Sequence, residues 1–232
     1  MNRLIFPENL KGRVSAFFTG KSPGADTGEI ARTLKAGEGT FYLPIQKHTD
    51  KVMVLESSRE PKIADAVITR ETGVIVGVQV ADCVPILVYD PKREVMGAVH
   101  AGWRGTAEGI LRNVVRTMTE RFRTDAKDVL VAIGPGIRWC CYEVGYDVVR
   151  AVGRATGEGD YVLLKGEKYC LDLPTANKYQ ALSMGVPEAG IWISGECTFC
   201  NPDKYFSYRY AKGSTGRQGG FIGKVRNDPA VP

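Results

Sequence analysis

Two histidines occur in the 232 residues, His48 and His100, so any chemistry that needs imidazole must use those positions. His100 ends the apolar run "EVMGAVH" and is followed by "AGWRGTAEGIL", a glycine-rich turn leading into a helical pattern. Cys83 lies in "VQVADCVPILVYD", between two apolar runs, and the second run returns to His100 through the turn signal "DPKR". A hairpin closed there brings Cys83 and His100 to the same end of adjacent antiparallel strands. With His48 they make a His-Cys-His donor set: three protein ligands for a soft or borderline metal, with a fourth tetrahedral position open. That is the pattern of catalytic rather than structural zinc, and water in the open position has its pKa lowered toward about 7. The same residues admit other readings, one of them a non-enzymatic metal or nucleoside binding protein that binds without turnover. They could be ordinary polar side chains beside a buried thiol. They could also form a metal-free pair, Cys83 as nucleophile and His100 as its base, acting on an amide or peptide-like substrate.

Neighbouring residues suit an anionic or heterocyclic ligand. In "AGWRGTAEG", Gly102 and Gly105 permit a tight turn, and a helix beginning near Thr106 would aim free N–H groups back toward His100. Arg104 can grip phosphate or carboxylate through two nitrogens. "YFSYRYAKGSTGRQGG" adds aromatic rings, Arg209 and Arg217, a lining suited to a flat heterocycle and its polar groups. "CTFC" (197–200) has the two-residue gap of a redox or zinc pair, yet no second pair of that spacing is present to complete a four-thiolate site.

Several elements must hold these residues in place. "VIVGVQV" (74–80), "VPILVYD" (84–90) and "EVMGAVH" (94–100) are near-continuous apolar runs, the pattern of central strands buried on both faces. "VSAFFTG", "TFYLPIQ", "KVMVLE", "VLVAIGPGI" and "AGIWIS" read as further strands, "YVLLKGEKYCLDL" and the tail "YFSYRYAKGSTGRQGGFIGKV" as hairpins. Ala107, Ile110, Leu111, Val114, Val115, Met118 and Phe122 recur on one face of a helix. "GEIARTLKAG", "YEVGYDVVRAVGRAT" and "PTANKYQALSMG" supply other helices. Mixed strands with at least three helices give an α/β or α+β layered fold. No repeat or Pro/Ser linker divides the chain, so residues 1–232 are expected to form one domain.

Composition narrows the function classes. The hydrophobic fraction of 44% and charged fraction of 25% are those of a globular protein. The net charge of +5 comes from scattered Lys and Arg rather than a basic run, so no nucleic-acid surface is expected. There is no signal-peptide pattern at "MNRLIFPENLKGRVSAFF" and no apolar run of about 18 residues, which points to a cytoplasmic protein with no membrane partner. The six cysteines, with Cys140 and Cys141 adjacent and awkward to pair, are expected to be reduced.

At "ADCVPILV" and "VHAGWRG" the sequence closely resembles the YfiH/DUF152 family, whose members carry polyphenol oxidase or multicopper laccase-domain labels. The resemblance continues through "QKHTDKV", "IGPGIRWCCYEVG", "YCLDLPTAN" and "CTFCNPDKYFSYRYAKGSTGRQGGFI", in order along most of the chain. It implies a three-layer α/β/α fold with a mixed sheet, of the CNF1/YfiH type. It also implies that His48, Cys83 and His100 are the zinc-binding and catalytic set. The activity it implies is phosphorolysis of adenosine, inosine or methylthioadenosine by phosphate, with adenosine deamination alongside. In such chemistry Arg104 would position phosphate, Arg209 and Arg217 would contact the nucleoside, and Asp82 and Glu143 are candidate proton carriers. Zinc is the expected metal, with copper second. A multicopper oxidase needs a histidine-rich trinuclear cluster beside a blue-copper site, and two histidines could furnish at most one mononuclear centre.

Overall fold

Every residue of "VPILVYD" and "VMGAVHA" is buried, as their unbroken apolar runs require. The computed structural model describes residues 3–37 and 39–224. In chain order its strands are β1 (Leu4–Ile5), β2 (Ser15–Thr19), β3 (Phe41–Tyr42), β4 (Val52–Leu55), β5 (Ala66–Thr69), β6 (Val74–Val80), β7 (Val84–Asp90), β8 (Val95–Ala101), β9 (Leu130–Ile133), β10 (Glu143–Val144), β11 (Val162–Lys165), β12 (Lys168–Leu171), β13 (Ile191–Ile193) and β14 (Gln218–Lys224). The helices are α1 (Thr27–Leu34), α2 (Trp103–Ala107), α3 (Ile110–Phe122), α4 (Tyr146–Thr156) and α5 (Leu173–Ser183).

The strands form two large mixed sheets and a small one. Six strands run in the order β13-β9-β7-β8-β5-β4, five in the order β1-β2-β14-β6-β3, and three in the order β10-β12-β11. Alternation along β7 and β8 decides what each face meets. Leu87, Tyr89, Met96 and Ala98 pack against Phe18, Val74, Val76, Val78 and Ile222 of the five-stranded sheet. Ile86, Val88 and Val99 face the other way, onto Ile110, Leu111, Val114, Val115 and Met118 of α3 and Leu173, Ala176 and Ala181 of α5. The outer face of the five-stranded sheet packs Phe17, Ile75 and Phe221 against Ile30 of α1. Truncating one of these buried side chains, Leu87 for example, costs roughly 2–5 kcal/mol.

The α/β class and the mixed sheets are those expected, and the β layer is double, giving helix, sheet, sheet, helix. The chain leaves β6 for the second sheet at Asp82, whose φ of 83° turns it sharply before β7 begins. The β7–β8 hairpin has the expected register, with Pro85 opposite His100 and Val84 opposite Ala101.

Other expectations are corrected. The helix expected from Thr106 to Phe122 starts at Trp103 and is cut at Gly109, whose φ of 70° places it in the left-handed region. The "YEVGYDVV" segment begins as the short strand β10 before α4. The tail is not a hairpin: residues 205–217 form turns and irregular loop, and only β14 is a strand, inserted between β2 and β6. The tail's Val225 lies outside the described residues, as do the first two residues of the N-terminal segment. Among the described residues no helix is long and apolar enough to cross a membrane.

Candidate metal and ligand site

His100 enters from the end of β8, on the face that carries Met96 and Ala98. Cys83 sits half-buried in the turn just before β7. His48 arrives from the loop after β3 with a φ of 58°, a left-handed backbone that a non-glycine residue adopts only when its surroundings enforce it. Asp65, fully buried just before β5, does the enforcing. Its carboxylate accepts from the backbone N–H groups of Lys47, His48 and Thr49 at 3.1, 3.0 and 2.7 Å, and from the Thr49 hydroxyl at 2.8 Å. The same carboxylate accepts a hydrogen bond from the Nδ1–H of His100 at 2.8 Å, leaving Nε2 toward the cluster. One buried acid thus fixes the His100 ring and the backbone that carries His48.

The ligand atoms of His48, Cys83 and His100 all lie within 4.8 Å of one another, with His48 Nε2 and Cys83 Sγ 4.0 Å apart. The two imidazoles meet edge to face at 4.7 Å between centroids. Gly102 makes the room: a Cβ there would stand 2.9 Å from Cys83 Sγ and 3.3 Å from His48 Cδ2.

The electrostatics polarise this cluster. Burial alone would push the Cys83 thiol up, but hydrogen bonding and charge from His100 and His48 override it and bring the thiol down to about 6. Burial works to discharge His100, and its bonds to Asp65 and Cys83 win, raising it to about 9. For Asp65, burial raises the pKa, and its hydrogen bonds to His100, Thr49 and Lys47 hold it well below the usual carboxylate range. Cys83 is therefore a thiolate at neutral pH.

These donors fit a tetrahedral ion such as zinc. Metal–ligand distances of about 2.0–2.3 Å set ligand atoms roughly 3.3–3.8 Å apart, so the His48–Cys83 separation of 4.0 Å closes by only a few tenths of an ångström. The thiolate is already formed, and the Asp65–His100 bond is the carboxylate–histidine support that metal sites use.

The cluster opens into a cavity of about 700 Å³ whose lining includes Arg104, Arg209, Arg217, Trp103, Tyr142 and Tyr208. The Arg104 guanidinium lies over the Trp103 ring at 4.4 Å, and that of Arg209 over the Tyr142 ring at 5.2 Å. Burial, then the nearby Cys83 charge, pushes the Tyr142 hydroxyl up to about 12.

Of the two candidate proton carriers, Asp82 is in the cavity lining and Glu143 is not. Asp82 lines the cavity, but its oxygens accept from the Thr198 hydroxyl at 2.6 Å, the Ser207 hydroxyl at 3.0 Å and the Arg209 N–H at 2.8 Å. It holds two loops together. Glu143 is exposed, pairs with Lys168 at 3.0 Å, and is not among the lining residues. Asp65 and Tyr142 were not singled out from sequence. An acid directly before the apolar strand "AVIT" was the available signal for Asp65, and β5 itself was missed.

A stacked-sheet α/β fold carrying a His-Cys-His cluster under an arginine-lined cavity defines the class. The sequence model of the family described as multi-copper polyphenol oxidoreductase laccase matches residues 25–224, and the chain belongs to that family, which includes the YfiH and DUF152 proteins. A purine nucleoside phosphorylase of Bacteroides thetaiotaomicron is 34% identical over 190 residues, 76% of this chain and 70% of that protein. Purine nucleoside phosphorylase YlmD of Geobacillus stearothermophilus is 42% identical over 164 residues, 69% of this chain and 60% of that protein. The crystal structure of the Geobacillus YlmD superposes with a TM-score of 0.87 at 30% identity, covering 94% of each chain. Adenosine deaminase RL5, from an unknown prokaryotic organism, is 33% identical over 201 residues, 81% of this chain and 76% of that protein.

Proposed function

We propose that the chain is a zinc-dependent purine nucleoside phosphorylase with adenosine deaminase activity. Its substrates are phosphate with inosine, adenosine or methylthioadenosine. The observation that carries this reading is one cavity joining a His-Cys-His donor set to three guanidinium groups and several aromatic rings. Among the described residues Asp82 is the lone acid of the lining, and it is engaged by its own hydrogen bonds, so the cavity suits an anion beside a flat base.

In phosphorolysis an oxygen of hydrogen phosphate bonds to the ribose C1′ as the C1′–N9 bond breaks, and the purine takes the electron pair and the proton that hydrogen phosphate gives up. Arg104 neutralises and orients the phosphate, and Arg209 and Arg217, in the same lining, contact the nucleoside. The Arg104 group comes from the five-residue α2, so the guanidinium rather than a long helix dipole does this work. Tyr142 keeps its proton across the neutral range and donates a hydrogen bond to the departing purine. Zinc held by His48, Cys83 and His100 would supply a Lewis acid that lowers the pKa of water at its open position, the chemistry deamination needs.

Purified protein given inosine and phosphate should release hypoxanthine and ribose 1-phosphate, and adenosine should yield adenine and inosine. Cys83→Ala should abolish both reactions. Full activity in a folded Cys83→Ala variant would reject the assignment.

The Cys83 thiolate facing a charged His100 also supports the metal-free hydrolase. Against it stands the second imidazole, His48, 4.0 Å from the sulfur, which a Cys-His pair does not require. Amide-bond hydrolysis that survives zinc removal and is blocked by iodoacetamide would favour the hydrolase.

A further inference from the structure

The sequence alone showed a single Cys-x-x-Cys pair and no partner for it. The fold supplies the partner. Cys140 and Cys141, side by side in the chain, meet Cys197 and Cys200 so that all four sulfurs lie within 4.8 Å of one another. We propose that these four cysteines form a second metal site, a closed tetrathiolate centre for a divalent zinc ion, separate from the His48, Cys83 and His100 cluster.

The geometry suits one ion. A tetrahedral zinc with Zn–S bonds of about 2.3 Å places sulfurs roughly 3.8 Å apart. Cys200 Sγ stands 3.6 Å from that of Cys140 and 3.2 Å from that of Cys141. Adjacent residues in a strand would point to opposite faces. Here the backbone turns instead: the N–H groups of Cys141 and Tyr142 both donate to the Arg138 carbonyl at 2.9 Å, which lets two consecutive side chains converge on one point. On the other loop, the Asn201 side-chain amide donates to the Cys197 carbonyl at 2.9 Å and closes the Cys-x-x-Cys turn.

The loops are tied to each other before any ion binds. A bridge links Gly136 to Cys197, and the Thr198 N–H donates to the Gly136 carbonyl at 3.1 Å. Arg138 is anchored at 2.8 Å on Asp172, the residue that caps α5, and at 2.9 Å on the Ser194 carbonyl. The Arg138 N–H also points at Cys197 Sγ, 3.4 Å away, the kind of donor that stabilises a sulfur carrying negative charge. Four thiols converging on a pre-tied frame leave no open position for substrate, which assigns a structural role.

That role reaches the cavity. Thr198, inside the Cys-x-x-Cys loop, holds Asp82, the residue next to Cys83. Tyr142, one residue beyond the cysteine pair, lines the cavity. An ion here braces both loops from behind.

The test is metal content and cobalt spectroscopy on full-length protein purified under reducing, oxygen-free conditions. Wild-type protein is expected to hold two zinc ions per chain. Cys200→Ser should lose one and keep the other, and His100→Ala should lose the other and keep this one. Because Cys200 is exposed, the serine is tolerated sterically. Cobalt added to metal-free His100→Ala protein should give the intense charge-transfer bands of tetrahedral thiolate coordination, and Cys140→Ser should weaken them. A single ion that Cys200→Ser leaves in place would overturn the proposal, as would a Cys200 disulfide to Cys140 or Cys141 in freshly purified, oxygen-free protein with no cobalt bands.

Discussion

Asp65→Asn changes no ligand of the proposed zinc, yet it should weaken zinc binding strongly. In the native protein a carboxylate can only accept, so Nδ1 of His100 carries the proton and Nε2 is left to bind metal. The best placement for the asparagine puts its oxygen where Lys47, Thr49 N–H and the Thr49 hydroxyl already donate, preserving those three bonds. Its NH₂ then faces the His48 N–H and His100 Nδ1. The His48 N–H loses its acceptor, and His100 can answer an NH₂ donor only by moving its proton to Nε2, the nitrogen the metal needs. Loss of such support typically costs 10–100-fold in metal affinity, which is about 1.4–2.7 kcal/mol. Two forfeited bonds to a charged acceptor, partly compensated, should lower folding stability by roughly 2–4 kcal/mol. The sign of the pH effect follows. Because the Asp65 carboxylate sits below its ordinary value of 3.8 when folded, its contribution is present above that pH and is lost as pH falls through the folded value. That acid-side slope should be missing in Asp65→Asn. Zinc competition against a chromophoric chelator, with urea denaturation from pH 3 to 7, measures both. Native zinc affinity in a folded Asp65→Asn protein would refute the assigned role of the carboxylate.

Other outcomes follow from the same geometry. Gly102→Ala should cost zinc affinity with little loss of fold, since its Cβ would press on Cys83 Sγ at 2.9 Å; equilibrium dialysis checks this. In metal-free protein, iodoacetamide should alkylate Cys83 at a rate that holds from neutral pH down to about 6 and then falls, whereas an ordinary thiol already slows below about 9. Mapping the modified peptide against pH decides it. Zinc affinity should also drop as pH falls from 9 to 6, because the metal must displace the proton that His100 holds to about 9.

How much of this was legible in the chain depends on how local each cause is. The β7–β8 hairpin was, because two apolar runs and one turn fix register, and register alone brings Cys83 and His100 to one end. Convergence of His48 was not derivable from spacing, since it depends on Asp65 gathering three backbone N–H groups from a distant loop. The double sheet escaped because a strand buried on both faces looks the same under a helix or under another sheet. The tail misled by its alternating aromatics. Ser207 and the Arg209 N–H bond Asp82, and the Gln218 side chain bonds the Phe206 backbone, so that stretch folds over the cavity instead of pairing as a strand. Cys140 and Cys141 looked like an awkward pair for the same reason: their partners stand almost sixty residues away in sequence and become neighbours only through the fold.

The most direct test of the central claim is release of hypoxanthine from inosine by the zinc-loaded protein, followed with and without phosphate. Phosphate-dependent release with equimolar ribose 1-phosphate, absent from Cys83→Ala, is the expected result. No release, or release that ignores phosphate, would contradict a site built to bring phosphate and a purine nucleoside together beside His48, Cys83 and His100.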